Sequence, residues 1–330
     1  MEVTIFGLHL TLNQIAFSIN LGNFHWDVYW YGILIALGFM LALIYGYRNA
    51  KRFNINLDRM LDVILVTVPV SILCARTYYV LFDGEPLNGI GDFFGFGDSS
   101  GFSGLAIYGA VIGAFATGAL MCKLRKVNLL DMFDLAALGF LIGQGVGRWG
   151  NFVNQEAFGT LTGSSWWGMQ SERTDHLMTT LGLEPGLVHP CFLYESIWCI
   201  AGFFLLHHLS KKRKFSGQVV LMYCAWYGFG RGFIELLRTD SLYWGIFRVS
   251  SLLSFLLCIS AIVLLIIIPK RIAENSRGYS ALFADEDDET ETFEDESDKA
   301  ENEPEEIIET EIEEEIQNDT TDDEKEQENG

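Results

Sequence analysis

The sequence has few of the features that bind metals or nucleotides. Its six cysteines form no Cys-x-x-Cys pair, and none combines with the six histidines at a spacing typical of a metal site. A dinucleotide fingerprint, a phosphate-binding loop and internal repeats are also absent from the sequence. We therefore expect a protein that works without a metal, a redox group or another cofactor.

Positive charge is scarce overall, but the deficit lies almost entirely at the C-terminal end. The chain has 22 Lys and Arg against 43 Asp and Glu, a formal net charge of −21. Residues 285–330 hold 25 of the acids and two of the bases, which leaves 18 acids and 20 bases in residues 1–284. Low hydrophobicity with high net charge predicts a disordered acidic tail. We expect no nucleic acid among the partners of the chain.

Charge is also missing from long stretches of the body, and these stretches predict membrane spans, since about 20 apolar residues cross a bilayer as a helix. Three of them contain no Asp, Glu, Lys or Arg: 28–47, 99–121 and 249–269. Four weaker segments complete the set: 63–82, 135–147, 195–209 and 218–230. We predict an all-α polytopic membrane protein in which residues 1–284 form a membrane-embedded domain of seven transmembrane helices. Residues 285–330 form its cytoplasmic tail.

Basic clusters predict the orientation of these spans. Each cluster follows an odd-numbered span: Arg48, Lys51 and Arg52; Lys123, Arg125 and Lys126; Lys211 to Lys214; and Lys270, Arg271 and Arg277. The positive-inside rule then places the N-terminus outside and the acidic tail in the cytoplasm. Residues 160–188 would form a small extracytoplasmic head region.

Five arginines do not fit the positive-inside rule. Four map to the outer ends of spans and one lies within the second span: Arg148, Arg231, Arg238, Arg248 and Arg76. Ionisable groups in a membrane are costly and mark functional sites, and guanidinium is the preferred planar donor to phosphate. We therefore expect an anionic phospholipid headgroup as the ligand. For any single arginine, pairing with an acid to brace the helices is an equally good interpretation.

Four polar residues form one stripe on the predicted sixth span, because their spacings of four, four and three match a helix: Tyr227, Arg231, Glu235 and Arg238. Arg231 and Glu235 can pair, which would leave Tyr227 and Arg238 facing a cavity. Two further buried acids are available as partners, Asp134 and Glu195.

The end of the fourth span is rich in glycine and polar residues. We expect residues 143–159 to form a binding loop, since glycine lets the backbone approach a ligand closely. Tight helix packing is the alternative for Gly143, Gly145 and Gly147.

These segments resemble the motifs of the bacterial phosphatidylglycerol–prolipoprotein diacylglyceryl transferase family. The segment at 147–159, GRWGNFVNQEAFG, is similar to the family signature. Further similar motifs are YWYG at 29–32, ARTYY at 75–79, GLAIYG at 104–109, HP with LYE at 189–195, and RGFIELLR at 231–238. They occur in order over residues 29–268, and only the acidic tail lies well outside them.

The resemblance implies a seven-span enzyme of the bacterial cytoplasmic membrane whose active site lies toward the outer face. It implies transfer of the diacylglyceryl group of phosphatidylglycerol to the lipobox cysteine of a prolipoprotein, with a thioether as product and glycerol phosphate as leaving group. The expected partners are phosphatidylglycerol, prolipoprotein signal peptides and the lipid bilayer.

The charge argument and the resemblance together give the candidate site residues. Catalytic roles are expected for Arg148, Arg231, Arg238, Tyr31, Tyr108 and Glu235. Substrate-binding roles are expected for Arg148, Asn151, Asn154, Glu156, Gly159, Tyr227, Arg76 and His189.

The general base stays open at this point. Many members of the family have histidine, a proposed base, in a His-Gly-Gly motif where this chain has Tyr108. An unperturbed phenol, with a pKa of about 10, is a poor base at neutral pH, so we favour a supporting role for Tyr108. His189 and Glu235 are rival candidates, and a thiol with a pKa of about 8.5 is already partly ionised and needs no base.

Two other classes of membrane protein are weaker alternatives. A lipid or solute transporter would be expected to show repeated halves and charges near the midplane, and neither is evident. A scaffold that recruits cytoplasmic partners through its acidic tail would leave the outer arginines unexplained.

Overall fold

Helices form most of the chain in the computed structural model. The residues that it describes are 1–21, 24–83, 93, 104–239, 243–244 and 247–284. The chain divides into two compact units, Met1–Lys270 and Arg271–Gly330. Two predictions, the acidic tail over 285–330 and the start of the third span over 99–103, lie outside the described residues.

The described residues contain seven long α-helices, one short α-helix and a 3-10 turn at Ala50–Phe53. The α-helices are α1 (Trp30–Asn49), α2 (Leu57–Asp83), α3 (Ile107–Leu124), α4 (Leu129–Asn154), α5 (Glu172–Thr180), α6 (Cys191–Ser210), α7 (Gln218–Leu237) and α8 (Val249–Ala284). Within the part of the chain that the structure describes, six segments are long and apolar enough to cross a membrane: Trp30–Phe53, Leu57–Phe82, Ile107–Leu124, Leu129–Asn154, Cys191–Ser210 and Val249–Ala273. The chain is therefore mostly helical and polytopic, as predicted. α7 has 20 residues but carries charges on its last turns and is not among the six.

Helix α4 differs from its prediction at its C-terminal end. The helix continues to Asn154 and ends at Gln155, whose left-handed backbone has a φ of 53°. The expectation of a loop over 143–159 is therefore wrong for residues 143–154. Arg148 and Asn151 accordingly lie on the last turns of a helix, which fixes their directions more firmly than a loop would.

Close packing explains why this glycine-rich segment is helical. A Cβ atom on Gly38 of α1 would lie 3.2 Å from Cα of Gly143, and a Cβ atom on Gly145 would lie 3.1 Å from the side chain of Ile200 on α6. These close approaches offset the entropic cost of glycine in a helix, about 1 kcal/mol relative to alanine. The packing alternative is thus supported for Gly145. A Cβ on Gly147 would meet no atom of the described chain within 4 Å.

Short β-strands add to the predicted helices. They are β1 (Glu2–Ile5), β2 (Leu8–Thr11), β3 (Ile15–Leu21), β4 (Phe24–Tyr29), β5 (Met169–Ser171), β6 (Tyr243–Trp244) and β7 (Phe247–Arg248). They pair antiparallel as a sheet in the order β2-β1-β5 and as the two pairs β3-β4 and β6-β7. The predicted head region, residues 160–188, contains β5 and α5 and therefore shares a sheet with the first strands of the chain.

The N-terminal end of α7 is bound to α4 by a buried carboxylate. Asp134 accepts hydrogen bonds from the backbone N–H groups of Gly217 (2.9 Å) and Val220 (2.8 Å). Arg213 pairs with both Asp134 (2.9 Å) and Asp131 (2.7 Å). Asp134 therefore binds a member of the basic cluster and a helix N-terminus, and not one of the outer arginines.

Two tryptophans set the register of α6 against α7. The rings of Trp198 and Trp226 stack with centroids 4.2 Å apart, and each indole N–H donates to the other residue's carbonyl oxygen at 3.0 Å. A Cβ atom on Gly202 would collide with the Trp226 ring, and one on Gly230 would collide with the Trp198 ring. This pair fixes the position of α6 along α7, and with it the positions of the charged residues on the two helices.

Candidate active site

Four charged side chains from three helices form a buried ion-pair cluster. Glu195 of α6 lies between Arg148 of α4, which contacts its Oε1, and Arg231 of α7, whose Nη1 lies 2.9 Å from Oε2. Arg231 also pairs through Nη2 with Oε2 of Glu235 at 2.6 Å, as its i,i+4 spacing predicts. Both glutamate side chains are almost fully buried, at 2% and 3% exposed.

Neighbouring polar groups extend this cluster. The Tyr227 hydroxyl donates to Oε1 of Glu195 at 3.1 Å, so it binds the cluster and does not simply face a cavity. Arg148 donates to Oδ1 of Asn151 at 3.4 Å, and the Asn151 amide donates to Glu156 at 2.9 Å. A continuous chain of polar contacts therefore runs from the signature segment of α4 to α7.

The ion pairs leave the guanidinium groups more accessible than the carboxylates. Arg148 and Arg231 are 21% and 18% exposed, against 2% for Glu195. Arg238 adds a third guanidinium, with Nε 3.9 Å from Oε2 of Glu235. Each guanidinium has five N–H donors in a planar fork. The buried glutamates occupy some of these donors, and an entering anion would contact the more accessible ones.

Arg238 lies where α7 meets the end of the signature segment. Arg238 forms a β-bridge with Gly159, and the N–H of Thr160 donates to the Leu237 carbonyl at 2.7 Å. Arg248 donates from Nη1 to the carbonyl oxygens of Glu235 and Arg238. Because it satisfies carbonyls at the end of α7, a structural role accounts for Arg248.

Gly159 is placed by close packing. A Cβ atom there would lie 2.7 Å from Cβ of His189, 2.9 Å from the Leu237 carbonyl oxygen and 3.0 Å from Sγ of Cys191. Its N–H donates to the His189 carbonyl at 2.9 Å. Any larger residue would push apart the three segments that surround the site.

His189 is held by a relay of aromatic hydrogen bonds. The Trp167 indole N–H donates to the Tyr194 hydroxyl at 2.8 Å, and that hydroxyl lies 3.2 Å from Nδ1 of His189. Burial lowers the pKa of His189 from its ordinary value of 6.5, because desolvation disfavours the charged imidazolium. The imidazole is therefore neutral at neutral pH.

Tyr31 and Asn154 both adjoin the C-terminal end of α4. Tyr31, on the first turn of α1, packs its ring against Gly150, where a Cβ atom would lie 2.6 Å from Cδ2 of the ring. The carbonyl oxygen of Asn154 accepts a hydrogen bond from Arg173 at 3.2 Å. Asn154 thus marks the junction between α4 and the head region.

Arg76 and Tyr108 belong to the α2–α3 pair. Arg76 donates to the carbonyl oxygens of Phe93 (2.8 Å) and Gly104 (3.1 Å), and its guanidinium lies 5.5 Å from the Tyr79 ring centre. Tyr108 is 72% exposed, so it is not part of the buried ion-pair cluster.

Glu195 is the central site residue that the candidate set lacks. The sequence carries a signal for it, because an acid inside an otherwise apolar span must find a partner, but that signal predicts only a partner for an arginine. The relay of Trp167 and Tyr194 carries no such signal, since both residue types are common at a membrane surface.

Comparison with known proteins identifies the family. A family model described as prolipoprotein diacylglyceryl transferase matches residues 14–267. That range contains every described helix that contributes to the ion-pair cluster, and it ends before the acidic tail.

Individual relatives agree with the family match. The chain is 41% identical to phosphatidylglycerol–prolipoprotein diacylglyceryl transferase 1 of Clostridium perfringens, over 81% of this chain and 98% of that protein. It is 42% identical to the transferase of Pediococcus pentosaceus, over 81% and 94% of the two chains, and 39% identical to that of Bacillus cytotoxicus, over 76% and 90%. The family predicted from the motifs is confirmed: the chain belongs to the prolipoprotein diacylglyceryl transferase family.

Proposed function

We propose that this chain transfers the diacylglyceryl group of phosphatidylglycerol to the lipobox cysteine of prolipoproteins. The cysteine sulfur forms a bond to the glyceryl carbon, the bond from that carbon to the phosphate oxygen breaks, and glycerol phosphate leaves with the electron pair. The names of the relatives supply the donor and the acceptor. The single observation that carries the proposal is the cluster of partly exposed arginines held by buried glutamates.

In this mechanism Arg148, Arg231 and Arg238 bind the phosphodiester and stabilise the charge that grows on the leaving glycerol phosphate. Glu195 and Glu235 fix the guanidinium groups before the substrate arrives, so little reorganisation is needed during the reaction. Preorganised donors of this kind contribute about 3–4 kcal/mol each to lowering the barrier.

The surrounding polar residues orient the lipid. Asn151 and Asn154 would bind phosphate or glycerol hydroxyl groups, with Glu156 holding the Asn151 amide. Tyr227 and Tyr31 would support the arginines and the end of the signature helix, and Gly159 would keep Arg238 close.

Arg76 and Tyr108 stay proposed contacts to substrate outside the ion-pair cluster. Their position on the α2–α3 pair suits a supporting role, and Arg76 binds the connection between those helices.

We propose that no side chain removes the thiol proton before attack. Glu235 is 3% exposed and pairs with Arg231, so an entering thiol does not reach its carboxylate. The Trp167 indole donates to the Tyr194 hydroxyl. We assign the proton of that hydroxyl to its bond with Nδ1 of His189, which makes Nε2 of His189 a hydrogen-bond donor. A partly ionised thiol attacks directly, and its proton passes to water or to the departing glycerol phosphate.

We propose that α7 also crosses the membrane, which gives seven spans with the N-terminus outside and the active site toward the outer face of the bacterial cytoplasmic membrane. Asp134 and Arg148 are 14 residues apart on α4, or about 21 Å at 1.5 Å per residue. The basic cluster that binds Asp134 and the arginine site therefore lie toward opposite faces. Residues 1–284 would form the membrane domain, with the acidic tail in the cytoplasm.

A transfer assay tests the proposed function. Purified full-length protein in nanodiscs of phosphatidylglycerol and phosphatidylcholine is incubated with a lipobox peptide, and the peptide mass is measured. We expect the mass to rise by one diacylglyceryl group. A peptide with serine in place of the lipobox cysteine is the matched control and should stay unmodified. An unchanged mass for the cysteine peptide would contradict the proposal.

A further inference from the structure

The hairpin of β3 and β4 has two chemically different faces. Its antiparallel register pairs Ser18 with Asp27, Ile19 with Trp26 and Asn20 with His25. Because successive residues of a strand point to opposite faces, the first and third of these pairs share one face. The second pair lies on the other face together with Phe17, two residues before Ile19.

The polar face is satisfied by its own side chains. The Ser18 hydroxyl donates to Asp27, and Nδ1 of His25 lies in hydrogen-bonding contact with Oδ1 of Asn20. Nε2 of His25 lies 3.1 Å from the Asp27 carboxylate. These contacts link the polar side chains of the two strands into one network.

The apolar face is open. Phe17 is 53% exposed, Ile19 is 36% exposed and Trp26 is 56% exposed. A group of large apolar side chains that together remain accessible marks an interaction surface.

The chain connectivity places this face at a membrane surface. β4 ends at Tyr29 and α1, a helix long and apolar enough to cross a membrane, begins at Trp30. With no intervening residue, the hairpin must lie where α1 enters the bilayer. Tyr29 and Trp30 are 49% and 44% exposed, and Trp and Tyr are the residues enriched at membrane–water interfaces.

We propose that the apolar face of the β3–β4 hairpin inserts into the lipid interface of the leaflet at the N-terminal end of α1. The polar face then points to water, and the hairpin fixes the depth and rotation of the first turn of α1. The occupant is the bilayer itself, and this anchoring does not depend on the transferase activity.

Photocrosslinking tests this proposal on the full-length protein. p-Benzoylphenylalanine is incorporated singly at position 17 or 19 on the apolar face and at 18 or 20 on the polar face. The protein is placed in nanodiscs of tritiated phosphatidylcholine and phosphatidylglycerol with a lipobox peptide present. We expect several-fold more lipid crosslinking from 17 and 19 than from 18 and 20. Equal labelling of both faces, or crosslinks from 17 and 19 to the peptide in place of lipid, would overturn the proposal.

Trp26 gives a second test that leaves the polar network intact. The fluorescence of the wild-type protein and of Trp26→Phe is compared in nanodiscs with and without brominated phospholipid. We expect the emission attributable to Trp26 to be quenched by the brominated lipid. If that part of the emission is not quenched, the hairpin does not insert.

Discussion

Glu195 shows at the scale of one residue how the site is held together. It is almost fully buried and contacts Arg148, Arg231 and Tyr227, each from a neighbouring helix. A buried ion pair contributes little net stability, but removing one partner leaves an uncompensated charge that costs about 3–5 kcal/mol. The members of the cluster therefore cannot be changed singly without a cost in stability.

The substitution Arg148→Ala is expected to reduce the rate of diacylglyceryl transfer by about 10²- to 10³-fold, the effect of losing one preorganised donor. The rate is measured from peptide modification under saturating phosphatidylglycerol. Arg125→Ala is the matched control, because Arg125 forms an exposed pair with Asp62 and should leave the rate unchanged. Comparable rates for both variants would remove Arg148 from the mechanism.

The substitution His189→Gln tests whether His189 acts as a hydrogen-bond donor or as a general base. Because burial lowers the pKa of His189, the imidazole is already neutral at neutral pH, and Gln retains an N–H group at the position of Nε2. We expect kcat/KM to fall by less than about tenfold, the worth of one neutral hydrogen bond, with the acid limb of its pH profile unmoved.

A general base at this position would give a different result. Its loss would lower kcat/KM by about 10²- to 10⁴-fold and would shift the acid limb of the pH profile. His176→Gln is the control, since His176 lies exposed on α5 of the head region.

At the scale of the element, α4 and the hairpin show what local sequence can and cannot predict. The helical spacing of Arg231 and Glu235 predicts their ion pair, which is present. Glycines in 143–154 predict a loop by composition, but the approach of Gly38 and Ile200 makes the segment helical. That information is tertiary and is not contained in the local pattern. The strands of the β3–β4 hairpin are short, with polar and apolar residues alternating along them. This pattern directly precedes the apolar run of α1, and the apolar run dominates the hydrophobic periodicity of the region.

The substitution Gly230→Ala is expected to destabilise the contact between α6 and α7. A Cβ atom there collides with the Trp198 ring, and overpacking of this kind costs about 1–3 kcal/mol. Thermal unfolding in detergent should show a lower Tm than the wild type. Gly143→Ala is the control, because its Cβ meets no described atom within 4 Å, and its Tm should be equal or higher. Equal Tm values for both variants would contradict the close packing of Trp198 against Gly230.

At the scale of the whole molecule, the formal charge of −21 is the sum of a strongly acidic tail and a nearly neutral body. The tail is predicted to be disordered, and the body contains the apolar spans. Charge-free runs predict the spanning helices from sequence alone, because the ability of a helix to cross a bilayer depends on its composition. The site also follows in part, since arginines at the ends of apolar spans need partners. The pairing of Arg148 and Arg231 with Glu195, and of Arg213 with Asp134, depends on which helices are neighbours. Spacing along the chain does not encode that.

Deletion of residues 285–330 removes 25 acids and two bases and is expected to leave the transfer rate unchanged. The tail would lie in the cytoplasm, away from the proposed chemistry, and it falls outside the range matched by the family model. The rate is compared for full-length and truncated protein at equal concentrations in the same nanodiscs. A large loss of turnover in folded, truncated protein would assign the tail a role in the reaction.

The most direct test of the central claim is the amount of glycerol phosphate released for each thioether formed. Wild-type protein is incubated with phosphatidylglycerol labelled in its terminal glycerol and with a lipobox peptide, and both products are quantified over time. Group transfer predicts equal amounts of the two products and no release without the peptide. Glycerol phosphate released without thioether, as in hydrolysis, or no release at all, as for a transporter or a scaffold, would contradict the account.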